Sequence, residues 1–331
     1  MKRRGLSLVE LIVVLGISLF LLVAIYYGYT HLFKKFLTGT GRTSVTISSI
    51  VGEEVLQQDV EHAGYGISIK EPKVPIKFQT DKNGNPVLTI RSTYVVTNRS
   101  TKGWAILNCP SGGSNSVPIS YSQLPLPSEY AVVMDFIENV DSPYAYIGKN
   151  GQSYVCSKSG YFLAYPVPRI TLHSNETYVC SNQACAQIDY YLYRSSAVNP
   201  ACKDMYVLGR RVSWKLKNGK PSGAVQPFLS CVADFQVRID WDNRKYVNPY
   251  DASDPDYSAI QSATFEDLKE KLKMIHIYLL IREGGKDPNY VFNGSTKIEP
   301  DNVELHLPSD YKHYHWKIVK LSIEPINVIR K

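Results

Sequence analysis

The sequence lacks the short motifs that identify several common enzyme classes. It contains no G-x-S-x-G, no H-E-x-x-H and no G-x4-G-K-[ST] pattern. The segment Glu283-Gly-Gly-Lys286 lacks the first glycine of a phosphate-binding loop and follows an apolar strand, so we expect a turn there. We therefore predict that the chain is not an enzyme and needs no cofactor.

Closely spaced thiol pairs are also missing, which argues against a structural zinc site. The shortest spacing between two cysteines is C-x4-C, whereas zinc sites usually include C-x2-C. An even number of cysteines is typical of a disulfide-bonded protein in an oxidising compartment. We predict up to three disulfides, one of them Cys180–Cys185 as a local clamp, and leave the other pairings open. The cysteines are Cys109, Cys156, Cys180, Cys185, Cys202 and Cys231.

Charge is almost absent from the beginning of the chain. The stretch from Leu6 to Tyr29 carries a single charged side chain, that of Glu10. At about 1.5 Å per residue, a helix of this length is about 36 Å long, enough to cross a bilayer core of roughly 30 Å. Three cations at positions 2–4 predict that the N-terminus is cytoplasmic and that the rest of the chain lies outside.

Glu10 is unusual in such a span, because a carboxylate there costs on the order of 2–3 kcal/mol. A simple signal anchor has no use for this charge. A cleaved secretory signal fits poorly as well, since the apolar stretch is long and no small-x-small cleavage site follows it.

The segment Gly5-Leu6-Ser7-Leu8-Val9-Glu10 resembles the type IV prepilin signal, G-F-[ST]-L-x-E. The resemblance implies that a prepilin peptidase cuts between Gly5 and Leu6 and methylates the new N-terminus. It also implies that Glu10 pairs with the free amino group of a neighbouring subunit during assembly, which would give the acid a partner. Leu6 departs from the phenylalanine that is usual at this position.

Residues 30–66 are predicted to form the amphipathic second half of the same helix. Gly39 and Gly41 interrupt the pattern, as a hinge or as a juxtamembrane linker. Apolar residues then recur at helical spacing. One stripe is Ile47, Val51 and Val55, and the adjoining stripe is Leu56, Val60 and Ala63.

The end of this region resembles the L-x-x-D-[IV]-x-x-A-G-Y motif of PilW-type minor pilins. The matching residues are Leu56, Asp59, Ala63, Gly64 and Tyr65. Gly64 and Gly66 are suited to a helix stop that needs positive φ. The sequence leaves open whether Asp59 faces solvent or caps a nearby loop.

From residue 67 onward the chain reads as a β-rich extracytoplasmic domain. An Asn83-Gly84 pair predicts a type I′ hairpin before a strand at 87–96, and residues 97–128 and 243–262 read as loops. Further strands are predicted at 131–137, 144–147, 161–165, 186–193, 206–212 and 316–323.

Two late segments, at residues 229–242 and 268–282, extend the resemblance to minor pilins. In both segments apolar and polar residues alternate strongly, which is typical of β-strands. They predict a set of core residues, Val232, Phe235, Val237, Ile239, Ile275, Ile277, Leu279 and Ile281. The middle of the chain, 97–228, matches nothing in the family pattern and is a possible insertion.

Two groups of polar residues are candidate binding sites. Acidic side chains with oxygen ligands suited to calcium occur at Asp240, Asp242, Asp251, Asp254 and Asp256, but they do not follow the EF-hand order. We favour solvated loop acids and predict no metal.

The second polar group is the densest basic run, at Arg210, Arg211, Lys215, Lys217 and Lys220, which we interpret as a solvated face. The formal charge is +7, and loss of the three leading cations would leave +4. Nucleic acid is thus a possible but unsupported partner.

Together these patterns predict an α+β protein, with a long N-terminal helix packed on an antiparallel sheet domain. Its parts are a leader at 1–5, a membrane or filament-core helix at 6–29, its amphipathic continuation at 30–66 and the domain at 67–331. The resemblance implies a minor pilin in a priming or tip complex, held by one span in the inner membrane and then moved to the pilus on the cell surface.

The partners that the resemblance implies are the prepilin peptidase, the major pilin, other minor pilins and the inner-membrane assembly platform. Two alternatives stay open: a J-like pseudopilin of a type II secretion system, and a pilus-tip adhesin or DNA-binding subunit. Secretion genes beside its own gene would favour the pseudopilin.

Overall fold

The computed structural model describes residues 8–110, 115–121, 130–135, 143–150, 153–155, 159–181, 183–195, 202 and 205–328. Its helices are α1 Leu8–Glu61, α2 Tyr257–Gln261 and α3 Phe265–Lys271. An apolar N-terminal helix precedes a mostly antiparallel β domain, so the predicted α+β class is confirmed. Helix α1 continues through Gly39 and Gly41, where we had predicted an interruption.

The strands fall into one large sheet, a closed barrel and two small ribbons. In chain order they are β1 Ile76–Thr80, β2 Pro86–Ser92, β3 Ala105–Cys109, β4 Asn115–Tyr121, β5 Tyr130–Asp135, β6 Pro143–Asn150, β7 Ser153–Val155, β8 Gly160–Val167, β9 Glu176–Tyr178, β10 Ala186–Tyr193, β11 Tyr206–Ser213, β12 Lys215–Lys217, β13 Lys220–Pro221, β14 Val225–Trp241, β15 Arg244–Val247, β16 Leu272–Glu283, β17 Lys297–Ile298, β18 Val303–Glu304 and β19 His315–Ile323.

The large sheet is antiparallel, with strand order β1-β2-β10-β11-β14-β16-β19, and β15 pairs with β14. Strand β14 pairs with β11 along its first part and with β16 along its second part. The register shifts around this changeover, where Cys231 has a φ of +61°. A bulge of this kind bends a long strand and lets it serve two neighbours.

The core lies where β14 and β16 meet. In the register, Phe235 is opposite Leu279 and Val237 is opposite Ile277. All eight predicted core residues in these strands are at most 1% exposed, as predicted. Burial alternates along the second part of β14, whereas β16 is buried on both faces. Burying one such side chain contributes roughly 1.5–3 kcal/mol.

A closed barrel of strands β3, β4, β7, β6, β5 and β8 occupies the middle of the chain. Leu107, Val133 and Phe162 are buried within it. The prediction that 97–128 is loop is therefore wrong, because β3 and β4 lie in that range. The range 97–228 holds this barrel and also two strands of the large sheet, β10 and β11.

Two other local predictions need correction. Residues 243–262 contain β15 and α2 and are not one continuous loop. The predicted hairpin exists between β1 and β2, but Thr80 pairs with Pro86, so the connection has five residues and is not a two-residue type I′ turn. Asp81 organises it by accepting the backbone N–H groups of Asn83 and Asn85, each at 2.8 Å.

The disulfides agree with the predicted oxidised state. The Cys180–Cys185 clamp is present, and a second bridge joins Cys202 to Cys231 on β14. Cys109 is also disulfide-bonded. Cys156 lies outside the described residues.

Candidate functional site

The first half of helix α1 presents apolar side chains in every direction. Residues Leu11–Thr30 are long and apolar enough to span a membrane, and none of this stretch is buried against the domain. Leu19 is 67% exposed and Phe20, on the next position around the helix, is 74% exposed. A helix that is apolar all round is stable only in an apolar environment, either lipid or other helices.

The residues predicted for processing and assembly lie at the very start of the chain. Gly5 and Leu6 are outside the described residues. Glu10 belongs to helix α1, but its side chain is outside the described part. The last residues of the helix, in contrast, are described in full.

The C-terminal part of helix α1 packs on the domain through one narrow face. Gly52, Leu56 and Val60 are buried against the sheet, whereas Val51 is 61% exposed. The predicted stripe of Leu56, Val60 and Ala63 is thus buried, but the adjoining stripe is not buried at Val51. The side chain of Ile47 lies outside the described part.

Asp59 lies on this buried face, between Leu56 and Val60. Its Oδ2 accepts from Arg210 Nε at 2.7 Å and from the Tyr190 hydroxyl at 2.6 Å. Arg210 and Tyr190 are opposite each other on β11 and β10, so the strand register places both against the helix. The two charged side chains are at most 2% exposed. Asp59 is therefore neither solvent-exposed nor a loop cap.

The electrostatics of this cluster fix its protonation states. Burial disfavours the charged form of Arg210, but the Asp59 carboxylate and the Tyr190 hydroxyl outweigh that effect and raise the Arg210 pKa. Burial, followed by the Asp59 charge, raises the pKa of Tyr190 well above its usual range. At neutral pH Arg210 is a cation and Tyr190 a hydrogen-bond donor. Arg210 Nη1 also donates to Thr97 at 3.2 Å.

The remaining residues of the helix-end motif, from Ala63 to Gly66, connect helix α1 to the barrel. Ala63 is fully buried, and Gly64 and Gly66 have φ values of +80° and +66°, as predicted. The Tyr65 ring packs edge-on against Tyr165 of β8, with centroids 5.0 Å apart. Burial raises the pKa of Tyr65 above its usual range, and the Tyr65 hydroxyl donates to the Gly103 carbonyl in the loop that leads to β3.

The acids weighed as calcium ligands are distributed over separate contacts. Asp254 and Asp256 both pair with Arg244, and Asp251 accepts from Ser253. Asp240 accepts from His276, and Asp242 is an exposed turn residue at φ +53°. Within the described ranges, no three His, Cys, Asp or Glu residues are grouped as a metal site would require.

The basic run forms the predicted solvated face only in part: Lys217 and Lys220 are exposed, but the other three residues are paired with acids. Arg210 is buried against Asp59, Arg211 pairs with Asp189 and Lys215 pairs with Glu176. Sequence reasoning missed Arg210 and Tyr190. The alternation of strand β11 could have indicated Arg210, because it lies two positions after Leu208 and therefore on the same, core-facing side of the strand. A cation on that side requires a buried acid.

Comparison of the chain with protein-family models, with curated proteins and with solved structures gave no match.

Proposed function

We propose that the chain is a PilW-like minor pilin that takes part in type IV pilus assembly, in a priming or tip complex. The observation that carries the proposal is helix α1, because an exposed apolar half with a prepilin-like start continues into a half that is buried in a β domain. An assembly subunit needs both halves. The exposed half binds lipid or neighbouring helices, and the buried half transmits that position to the domain.

In this mechanism the protein assembles and catalyses nothing. The prepilin peptidase removes residues 1–5 and methylates Leu6. Apolar helices of neighbouring subunits then pack laterally as they leave the inner membrane. The Glu10 carboxylate pairs with the amino group of a neighbouring subunit, which offsets the cost of its burial. The partners are the major pilin, other minor pilins and the assembly platform.

The C-terminal end of helix α1, which is packed on the β domain, is suited to an assembly subunit. Asp59 joins the helix to two strands of the sheet, and Lys317 of β19 adds an ion pair to Glu53 at 3.1 Å. Tyr65 links the helix end to the barrel. These contacts would hold the domain in a set orientation on the filament, with the barrel and sheet outside the helical core.

The deciding experiment is mass spectrometry of the mature N-terminus after coexpression with a prepilin peptidase. We expect the protein to begin at Leu6 and to carry one added methyl group. A Gly5→Arg variant is the matched control and should stay uncut. A wild-type chain that begins at Met1 or at any residue other than Leu6 would overturn the proposal.

A second measurement separates a pilin from a secretion pseudopilin. Pili sheared from the cells should contain the chain together with the major pilin, as seen by immunoblotting. If the chain is processed but is absent from pili and is required for protein secretion, the pseudopilin assignment replaces this one.

A further inference from the structure

An open cleft of about 570 Å³ lies at the base of the barrel. Its walls come from Asn98 before the barrel, the segment that follows the barrel, the end of β11 with the start of β12, and Ser222 and Gly223. The volume is within the range of roughly 300–1,000 Å³ that is usual for small-ligand sites. The assembly mechanism proposed above uses none of its side chains.

The cleft combines one aromatic ring with unused hydrogen-bond donors. Trp214 is half-buried, packs against two buried clusters and also lines the cleft, and its indole N–H makes no hydrogen bond to the described part of the chain. Asn98 accepts from the backbone and hydroxyl of Ser100 through its carbonyl oxygen. Its amide N–H groups have no acceptor among the described residues. An indole face beside free polar donors is suited to a ligand that has an apolar face and a polar edge.

The charge of the cleft is positive. Arg169 is exposed, its guanidinium lies 5.9 Å from the centroid of the Tyr130 ring, and it forms no ion pair within the described residues. Lys215 also lines the cleft and is held at 2.7 Å from Glu176, and the same acid accepts the backbone N–H of His173. The nearby acid is thus already bound, and the Arg169 guanidinium is available for a carboxylate.

We propose that this cleft binds an acidic oligosaccharide, with the carboxylate of a uronic acid on Arg169 and a sugar face on Trp214. A sugar ring has C–H groups on one face and hydroxyls at its edge, which matches the indole and the Asn98 amide. Single-stranded nucleic acid is less suited, because it needs several stacking rings along a basic groove. Binding here does not depend on assembly into a pilus.

The test is titration calorimetry of the full-length chain in detergent micelles. The probes are tetragalacturonate, neutral maltotetraose and tetraglutamate. We expect binding of tetragalacturonate, and no binding of the other two. Arg169→Glu should weaken binding by about tenfold or more, the order expected when a charge-assisted contact is replaced by repulsion.

The matched control is Lys82→Glu, which changes the net charge equally at an exposed position in the β1–β2 turn. It should leave binding of tetragalacturonate unchanged, and circular dichroism of both variants should match wild type. Absence of tetragalacturonate binding, equal loss in both variants, or equally tight binding of tetraglutamate would each overturn the proposal.

Discussion

Asp59 and Arg210 place two opposite charges within the folded core, 151 positions apart in the sequence. Taking both from water costs several kcal/mol per ion, and their attraction in the core repays this cost only with good geometry. The Tyr190 hydroxyl improves that geometry because it donates to the same carboxylate oxygen as Arg210.

Asp59→Ala should therefore lower the free energy of unfolding by about 3–5 kcal/mol, because Arg210 is left buried without a counter-charge. Replacing both partners, as Asp59→Leu with Arg210→Met, should recover most of the loss. Urea titration of the full chain in detergent micelles measures both effects.

The control for this change is Lys297→Ala, which breaks the exposed ion pair with Glu299. An exposed pair contributes less than about 1 kcal/mol. If Asp59→Ala costs no more than Lys297→Ala, the buried pair does not hold the helix to the sheet.

Asp267 makes a pH-dependent contribution to the free energy of unfolding of the domain. It forms a capping box with Thr264 at the start of α3, with 2.9 Å between the Thr264 N–H and Oδ2. This backbone hydrogen bond, then the Thr264 hydroxyl, then Lys271, lower the Asp267 pKa to about 2. Because the folded pKa lies below the ordinary value of 3.8, the stabilisation is full above that value and is lost as pH falls toward 2.

Asp267→Ala should accordingly cost about 0.3–1 kcal/mol at pH 6, the usual range for an acid near a helix N-terminus, because Asp267 is the third residue of the capping box and Thr264 is the N-cap. The gap to wild type should close as the pH approaches 2. Glu266→Ala, at an exposed position of the same turn, should cost less at pH 6. A gap for Asp267→Ala that stays constant from pH 6 to pH 2 would contradict the assigned ionisation.

At the scale of the element, helix α1 presents an exposed and a buried side chain only five residues apart, less than two turns. Val51 is 61% exposed and Leu56 is fully buried. We expect Leu56→Ala to lower the free energy of unfolding by about 2–5 kcal/mol, because it leaves a cavity between helix and sheet. Val51→Ala on the same helix should change it by less than about 0.5 kcal/mol.

Urea titration of both variants tests where the docked part of the helix begins. Equal effects of the two substitutions would mean that the helix does not pack on the sheet through the Leu56 face. A large effect of Val51→Ala would mean that the contact begins before Gly52.

The sequence predicted most strongly the elements whose pattern is continuous. Strand β10 runs over Ala186–Tyr193 as expected, and β16 covers the apolar run at its predicted position, although it is buried on both faces. Strands β3 and β4 were missed because they are short, lie among Ser, Gly and Pro, and in β4 include Pro118. Their stability comes from closure of the barrel, which pairs Leu107 with Phe162 of a distant strand. Local propensity does not report such pairing.

The candidate site was predicted only in part, for a similar reason. Helical spacing placed Leu56, Val60 and Ala63 on one face, and Asp59 falls on that face too. Its partners come from β10 and β11, and strand register alone brings them together. A pattern along one element predicts which side is buried, but it does not identify what lies opposite.

At the scale of the whole molecule, helix α1 joins a surface that requires an apolar environment to a β domain on which its last turns are packed. Its first half is an apolar surface that needs lipid or other helices around it. Its last turns are held by an ion pair, a tyrosine hydroxyl and a buried apolar stripe. In the function proposed above, this single helix moves from membrane to filament while the β domain stays folded outside. In the proposed assembly, the charge of Glu10 then decides how neighbouring helices align along their axes.

Glu10→Ala should consequently fold, insert and be processed after Gly5, yet enter pili about tenfold less than wild type. The proposed partner amino group would be left as a buried unpaired charge, which is strongly unfavourable. Ser18→Ala is the matched control, because the Ser18 hydroxyl bonds only to the Val14 carbonyl of its own helix among the described residues. Immunoblots of sheared pili, normalised to the membrane pool, measure incorporation. Equal incorporation of Glu10→Ala and Ser18→Ala would show that helix packing alone aligns the subunits, and charge pairing would have to be abandoned as the mechanism.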